Sequence, residues 1–144
     1  MFKIPSRWLF PLLLLLSGCA VQLVAEFDPQ TLHQLQQINN QIDRLYLQMA
    51  ALPATQRRYP RFQPQYLEIE VMIRGFVRLQ EWRQMNEETN KQAQILAKLW
   101  QQDMQQHQKN GHLSDFLLKR HRAQYQRLID TIAQGELAKK TTQP

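Results

Sequence analysis

The amino-acid sequence predicts an all-α protein, an up-down four-helix bundle. In four successive segments, apolar residues recur at alternating spacings of three and four, which is the period of one helix face. Turn residues separate these segments, and no segment shows the strict alternation typical of a β-strand. The chain has 144 residues, of which 43% are hydrophobic, and this length predicts one domain. Because the connections are short, neighbouring helices are expected to run antiparallel.

The N-terminus has the pattern of a signal peptide. Lys3 and Arg7 provide a positive start, and residues 8–16 form an apolar stretch. This stretch is shorter than the roughly 20 residues that a bilayer-spanning helix needs. A short apolar core followed by small residues is typical of a cleaved leader. We therefore expect residues 1–18 to be removed and residues 19–28 to form a short tether.

The sequence Leu16-Ser17-Gly18-Cys19 resembles the lipobox of bacterial lipoproteins. The resemblance implies that Cys19 receives a diacylglyceryl group, carries the acyl chains of the mature protein, and anchors it to a membrane. Since Ala20 rather than aspartate follows the cysteine, the resemblance also implies sorting to the outer membrane, on its periplasmic side. The alternatives are an ordinary signal peptide, an uncleaved anchor or a buried free thiol. Cys19 is the single cysteine, which excludes an intramolecular disulfide.

The first helix is predicted to begin at Asp28-Pro29. Aspartate can accept hydrogen bonds from the first free N–H groups of a helix, and proline fits its first position. Pro53 and the region between Pro60 and Pro64 end this helix. Its apolar stripe consists of Leu35, Ile38, Ile42, Leu45, Met49 and Leu52.

The second and third helices are predicted from near Pro64 to about Met85 and from Thr89 to Asn110. Thr89 and Gln92 have the spacing of a capping box, and Gly111 can adopt the left-handed conformation that ends a helix. The apolar stripe of the second helix is Ile69, Ile73, Phe76, Leu79 and Trp82, and that of the third is Ala93, Leu96, Leu99, Trp100 and Met104.

The fourth helix is predicted to begin after Ser114, a capping residue, with Asp115 favourable in its first turn. Gly135 is expected to end it, so that the bundle spans residues 29–135 and a polar tail spans 136–144. The stripe of this helix is Leu118, His121, Tyr125, Leu128 and Ile132. The side chains expected to be buried include one from each helix: Leu45, Phe76, Leu99 and Leu128.

Several short segments resemble small all-helical lipoproteins of Gram-negative bacteria that have no assigned function. They are Glu26-Phe27-Asp28-Pro29, the hinge at Met85-Asn86-Glu87-Glu88-Thr89 and the closing Glu136-Leu137-Ala138-Lys139-Lys140. The resemblance implies the helical fold and an envelope location, and it implies no reaction.

No arrangement of residues predicts catalysis, a metal site or a cofactor. The four histidines lack metal-ligand spacing; His121 is predicted to lie in the core, whereas His107 and His112 are predicted to be solvated. Ser114, the only serine after residue 18, is better explained as a helix cap than as a nucleophile. The acidic pairs Glu68–Glu70 and Glu87–Glu88 do not share a helix face. The aromatic residues at helical spacing predict core packing, with a ligand site between helices as the alternative: Tyr66, Phe76, Trp82, Trp100, Phe116 and Tyr125.

Arg57, Arg58 and Arg61 lie in the connection between the first two helices. In an up-down bundle this connection shares one end with Lys109 and His112, so that end is basic. We hypothesise that it binds an anionic envelope component, either a cell-wall polymer or an acidic protein surface; an ordinary solvated loop is the alternative. The basic residues form no dense run, so a nucleic-acid partner is not predicted.

The leading hypothesis is therefore a non-enzymatic, membrane-anchored envelope lipoprotein whose helical module binds another envelope component. A bundle that binds a small ligand is the alternative. A hydrolase of envelope polymers is the third hypothesis, and it lacks the expected group of catalytic residues.

Overall fold

The computed structural model describes residues 23–142, and this part of the chain forms four long helices. They are α1 (Pro29–Ala50), α2 (Tyr59–Trp82), α3 (Glu87–Asn110) and α4 (Asp115–Ala138). Each helix packs against its neighbour in sequence, and α1 also packs against α4, so the four helices close into a bundle. The predicted all-α four-helix bundle is confirmed. The predicted signal peptide and Cys19 lie outside the described residues.

Three of the predicted helix boundaries are confirmed by their capping contacts. The Asp28 carboxylate accepts hydrogen bonds from the backbone N–H groups of Gln30 and Thr31, at 3.0 and 3.1 Å. The Ser114 hydroxyl accepts one from the N–H of Leu117 at 3.2 Å. Gly111 ends α3 with a φ of 77°, a left-handed conformation that a side chain would disfavour.

Three other boundaries differ from the prediction. Helix α2 begins at Tyr59 because Pro60 fits its first turn, and Pro64 lies inside it, where a proline removes one backbone hydrogen bond. Helix α3 begins at Glu87, and the two acidic residues of its first turn interact favourably with the helix dipole. Gly135 does not end α4, which continues to Ala138.

The core contains most of the predicted apolar stripes. Leu45 and Phe76 are buried, as expected, whereas Leu99 and Leu128 are only half-buried and pack against its edge. The prediction that Trp82 and Phe116 are core residues is wrong, because they are 74% and 71% exposed. Each is two residues from a buried residue of its own helix, Gln80 or Leu118, so its side chain points away from the buried face. The fully buried large side chains include Leu35, Ile38, Ile42, Tyr46, Tyr66, Ile69, Ile73, Trp100 and Tyr125.

The bundle has two ends with different compositions. We define the proximal end, where the chain enters, as residues 23–31, 80–89 and 136–142. The distal end comprises residues 51–62 and 107–116. Among the described residues, no helix has both the length and the apolar character needed to cross a bilayer.

The segment before α1 is not a free tether over the whole predicted range of 19–28. Ala25 is buried, and its N–H donates a hydrogen bond to the carbonyl of Met85 at 2.9 Å. The carbonyl of Glu26 accepts a hydrogen bond from Arg83. The chain is therefore held against the bundle from Ala25 onward, because its backbone groups find partners in the turn between α2 and α3.

Candidate functional site

The proximal end contains a buried ionic network centred on Glu136, whose side chain is fully buried. Its carboxylate accepts hydrogen bonds from the Arg83 guanidinium at 2.9 Å, the Lys139 ammonium at 2.6 Å and the backbone N–H of Asp28 at 2.8 Å. Three separate parts of the chain therefore meet on one carboxylate. The prediction of a polar tail from 136 is wrong for Glu136 and Lys139, which are buried because they pair with each other and with these groups.

The cations of this network have further partners. The Lys139 ammonium also donates hydrogen bonds to the side-chain oxygens of Asn86, at 2.7 Å, and Thr89, at 2.9 Å. The Arg83 guanidinium also donates to Thr31 and Gln80. A buried ion pair stabilises a fold only when its remaining donors and acceptors are satisfied, as these are. The network therefore closes the bundle and leaves no free group for binding a substrate.

A second polar group lies in the core beside a column of aromatic rings. The Tyr125 hydroxyl donates a hydrogen bond to Asp103 at 2.8 Å, and Nδ1 of His121 lies 3.4 Å from the same carboxylate oxygen. The Tyr46 hydroxyl is 3.3 Å from that histidine nitrogen. His121 is a core histidine, as predicted. Since all four side chains are buried, a substrate could reach them only if the core opened, so the geometry favours a structural role.

The aromatic column fills the centre of the bundle. The ring centroids of Tyr66 and Trp100 are 5.2 Å apart, and those of Trp100 and Tyr125 are 5.5 Å apart. The indole N–H of Trp100 donates to the carbonyl of Tyr66 at 3.1 Å. These distances are typical of packed aromatic pairs. This packing gives no support to the small-ligand alternative.

The prediction that His107 is solvated is wrong. Its Nδ1 is 3.0 Å from the Tyr66 hydroxyl and its Nε2 is 2.7 Å from the carbonyl of Arg57, so both ring nitrogens have partners inside the fold. Burial lowers the pKa of His107, and it also lowers that of His121, where Asp103 opposes the shift. His112, in contrast, is exposed, as predicted.

These pKa shifts predict that acidification destabilises the protein. The unfolded state binds protons more readily than the two buried histidines, so their stabilising contribution is present above about pH 6.5 and is lost as the pH falls through the folded-state pKa values. Burial raises the pKa of Glu136, but hydrogen bonds from Arg83, Lys139 and Asp28 outweigh burial and lower the pKa below its usual value. Protonation of this carboxylate at lower pH therefore also decreases the free energy of unfolding. The pKa of Asp103 is raised mainly by burial, so the protonation of Asp103 on acidification increases the free energy of unfolding.

The measurement is the free energy of unfolding from denaturant titrations at pH 7, 6 and 5, which we expect to decrease in that order. His107→Gln should reduce the decrease between pH 7 and pH 5, because glutamine does not titrate. An unfolding free energy that stays constant or rises on acidification would contradict the assignment of buried neutral histidines.

The three arginines predicted to bind a partner do not form one exposed group. Arg57 is buried: its guanidinium donates hydrogen bonds to the carbonyls of Met49 at 2.8 Å and Leu113 at 3.3 Å, and it lies 2.7 Å from Asp115. The hypothesis that Arg57 faces a partner is therefore corrected. It holds the α1–α2 and α3–α4 connections together, because the carbonyls there need a donor.

Arg58 and Arg61 are exposed, and the structure places them at the distal end as predicted. The guanidinium of Arg61 lies over the ring of Phe62, 5.9 Å from its centroid. An isolated antiparallel bridge pairs the backbones of Arg58 and His112, which fixes these two residues side by side.

A shallow depression beside this bridge is the candidate binding surface. Its lining combines one guanidinium group, one imidazole ring, three amide side chains and two further rings: Arg58, His112, Gln63, Gln108, Asn110, Tyr59 and Pro60. Guanidinium and amide N–H groups are suitable donors for carboxylate or phosphate oxygens. The surface can therefore bind a polar, anionic group, although it holds no set of side chains arranged for a reaction.

Residues 23–142 contain no cluster of three or more histidine, cysteine, aspartate or glutamate side chains that could hold a metal ion. Glu68, Glu87 and Glu88 are exposed, and Glu70 is paired with Arg74 across one helical turn. Sequence reasoning missed His107, Glu136 and Lys139 as buried polar residues. His107 lies 11 residues after Leu96 and 18 after Thr89, and Glu136 and Lys139 lie 4 and 7 residues after Ile132. These spacings put each of them on the same side as a buried residue, which was the signal for burial that the sequence contained.

The comparisons with known proteins give no further assignment. No family model matches the chain, and no curated protein and no solved structure is significantly similar to it.

Proposed function

We propose that this protein is a non-enzymatic envelope lipoprotein, anchored through Cys19, whose distal end binds an anionic cell-wall polymer. The observation that supports the proposal most directly is the exposed Arg58–His112 pair, which a backbone bridge holds beside a depression lined with amide groups. The lipobox-like sequence before Cys19 supports the anchor.

The arrangement of the two ends is compatible with this role. The chain enters the bundle at the proximal end, so an anchor on Cys19 allows the distal end to face away from the lipid. The 24 residues of α4 correspond to a length of about 36 Å at 1.5 Å per residue. The distal surface would thus lie several nanometres from an outer membrane, on the periplasmic side, where a cell-wall polymer can reach it.

The anchor is tested by Cys19→Ala. We expect this variant to leave the membrane fraction or to accumulate as an unprocessed precursor, because the acyl chains provide the membrane affinity. Fractionation and intact-mass spectrometry measure both results. A mature wild-type protein with an unmodified Cys19 would refute the lipoprotein proposal.

The binding surface is tested by the double variant Arg58→Glu/Arg61→Glu, in which Arg57 is kept because it stabilises the fold. We expect co-sedimentation with purified peptidoglycan sacculi to fall, and to differ most from wild type at low salt, where charge interactions are least screened. The matched control, Arg78→Glu/Arg127→Glu, makes the same charge change on exposed positions of α2 and α4 outside the distal end.

Equal co-sedimentation of wild type and both variants would place the binding surface elsewhere. If none of the three binds sacculi while cross-linking in envelopes captures a protein through Arg58, the partner is an acidic protein surface and the polymer proposal fails.

A further inference from the structure

The proximal end carries many of the large apolar side chains that are exposed on the bundle. Ten large apolar side chains of the described chain are exposed, and five of them lie at this end. Trp82, the last residue of α2, is 74% exposed, and Met85, three residues later in the turn before α3, is 46% exposed. The other three are Leu23, Val24 and Leu137. Exposed apolar groups concentrated at one place mark an interaction surface.

The position of the anchor identifies what covers this surface. Because the chain is docked from Ala25 onward, the covalent path from Cys19 to the first docked residue is six residues, which can span at most about 21 Å. Any acyl chain on Cys19 therefore keeps the proximal end within that distance of the lipid. Trp82 and Met85 lie at the same end, since the carbonyl of Met85 accepts the hydrogen bond from Ala25.

The charges at this end do not indicate attraction to an anionic surface. Arg83 and Lys139 both pair with the buried Glu136, whose single negative charge offsets one of their two positive charges. The proximal end carries six acidic and three basic residues, a formal net charge of −3, and they are Glu26, Asp28, Glu81, Glu87, Glu88, Glu136, Arg83, Lys139 and Lys140. The contact must therefore be dominated by apolar insertion, which is compatible with a zwitterionic lipid interface.

We propose that the proximal end sits on the membrane, with Trp82 inserted at the boundary between headgroups and acyl chains and Met85 and Leu23 beside it. Tryptophan is the side chain that best suits this boundary, because its large ring is apolar and its N–H can bond to water or headgroups. The contact orients the bundle with its distal end away from the membrane, instead of leaving it to swing on a tether. This inference depends on the proposed anchoring through Cys19.

The test uses the intrinsic fluorescence of the lipidated protein in vesicles of brominated phosphatidylcholine, whose bromine atoms quench tryptophans that touch the acyl chains. Mature protein would contain two tryptophans, Trp82 and Trp100, because Trp8 is lost with the leader. Trp100 is fully buried in the core, so quenching reports Trp82. We expect a blue shift on reconstitution and a loss of Trp82 emission relative to vesicles without bromine.

The matched control moves the probe to the other end. The variant Trp82→Phe/Phe116→Trp exchanges two exposed aromatic residues at opposite ends of the bundle, and we expect its emission to be unaffected by bromine. Circular dichroism of both proteins verifies that the bundle is intact.

Each outcome separates this inference from the proposed anchor. The membrane contact alone is overturned if the protein with lipidated Cys19 floats with the vesicles but its Trp82 is not quenched. Equal quenching of the wild type and the Trp82→Phe/Phe116→Trp variant overturns it as well. If Trp82 is not quenched and the regions around Trp82 of two molecules cross-link, the apolar surface binds a second copy of this protein and the membrane contact is overturned. An unmodified Cys19 in the intact mass overturns the anchor and this inference together.

Discussion

Replacing Glu136 with alanine is expected to lower the free energy of unfolding by about 3–5 kcal/mol, the range for removing one partner of a buried ion pair. The variant leaves the Arg83 and Lys139 cations with side chains that are only 16% and 7% exposed and without their shared anion. The backbone N–H of Asp28 also loses its acceptor. Denaturant titration followed by circular dichroism measures the loss.

The matched control is Glu88→Ala. Glu88 pairs with Lys91 three residues later on a helix, as Glu136 pairs with Lys139, but its side chain is 84% exposed. We expect a change below about 1 kcal/mol, since solvent-exposed ion pairs contribute little. Equal effects of the two substitutions would show that the buried network does not stabilise the bundle.

Trp100→Ala is the second large effect, with an expected loss of about 3–5 kcal/mol, because it opens a cavity in the centre of the core. The indole ring contacts both Tyr66 and Tyr125, and its N–H is hydrogen-bonded to the carbonyl of Tyr66. The substitution therefore removes packing from both sides and one buried hydrogen bond. Thermal and denaturant unfolding both measure it.

Trp82→Ala is the control with the same chemical change. Because Trp82 is 74% exposed, we expect its substitution to change stability by less than about 0.5 kcal/mol in solution. If this surface residue proves as important for stability as Trp100, then Trp82 packs in the fold, and the membrane contact proposed for it loses its basis.

The two ends of the bundle show how a polar residue can serve the fold or remain available for binding. Arg57 and Arg58 are adjacent in sequence, yet the first donates to three backbone carbonyls and the second is exposed. Substitutions that probe binding therefore have to spare Arg57. At the proximal end, Arg83 is likewise held inside the fold by Glu136, whereas the side chain of its neighbour Trp82 is exposed.

The sequence alone was sufficient for the fold class, because helix formation and amphipathicity are local. The apolar spacing predicted four helices, and the caps at Asp28, Ser114 and Gly111 were recognisable since a capping contact joins residues a few positions apart. The leader and the lipobox-like segment ending at Cys19 are likewise local patterns, and the anchoring that they imply stays a prediction.

Only the tertiary structure decided which partners the buried polar residues have. Glu136 belongs to a segment with the composition of a tail, but its partners Asp28 and Arg83 are 108 and 53 residues away. His107 is buried because Tyr66 and Arg57 arrive from another helix and from a connection. Such pairings depend on how helices align across the bundle, which local periodicity does not encode. The same alignment left Trp82 outside the core at the end where the chain enters.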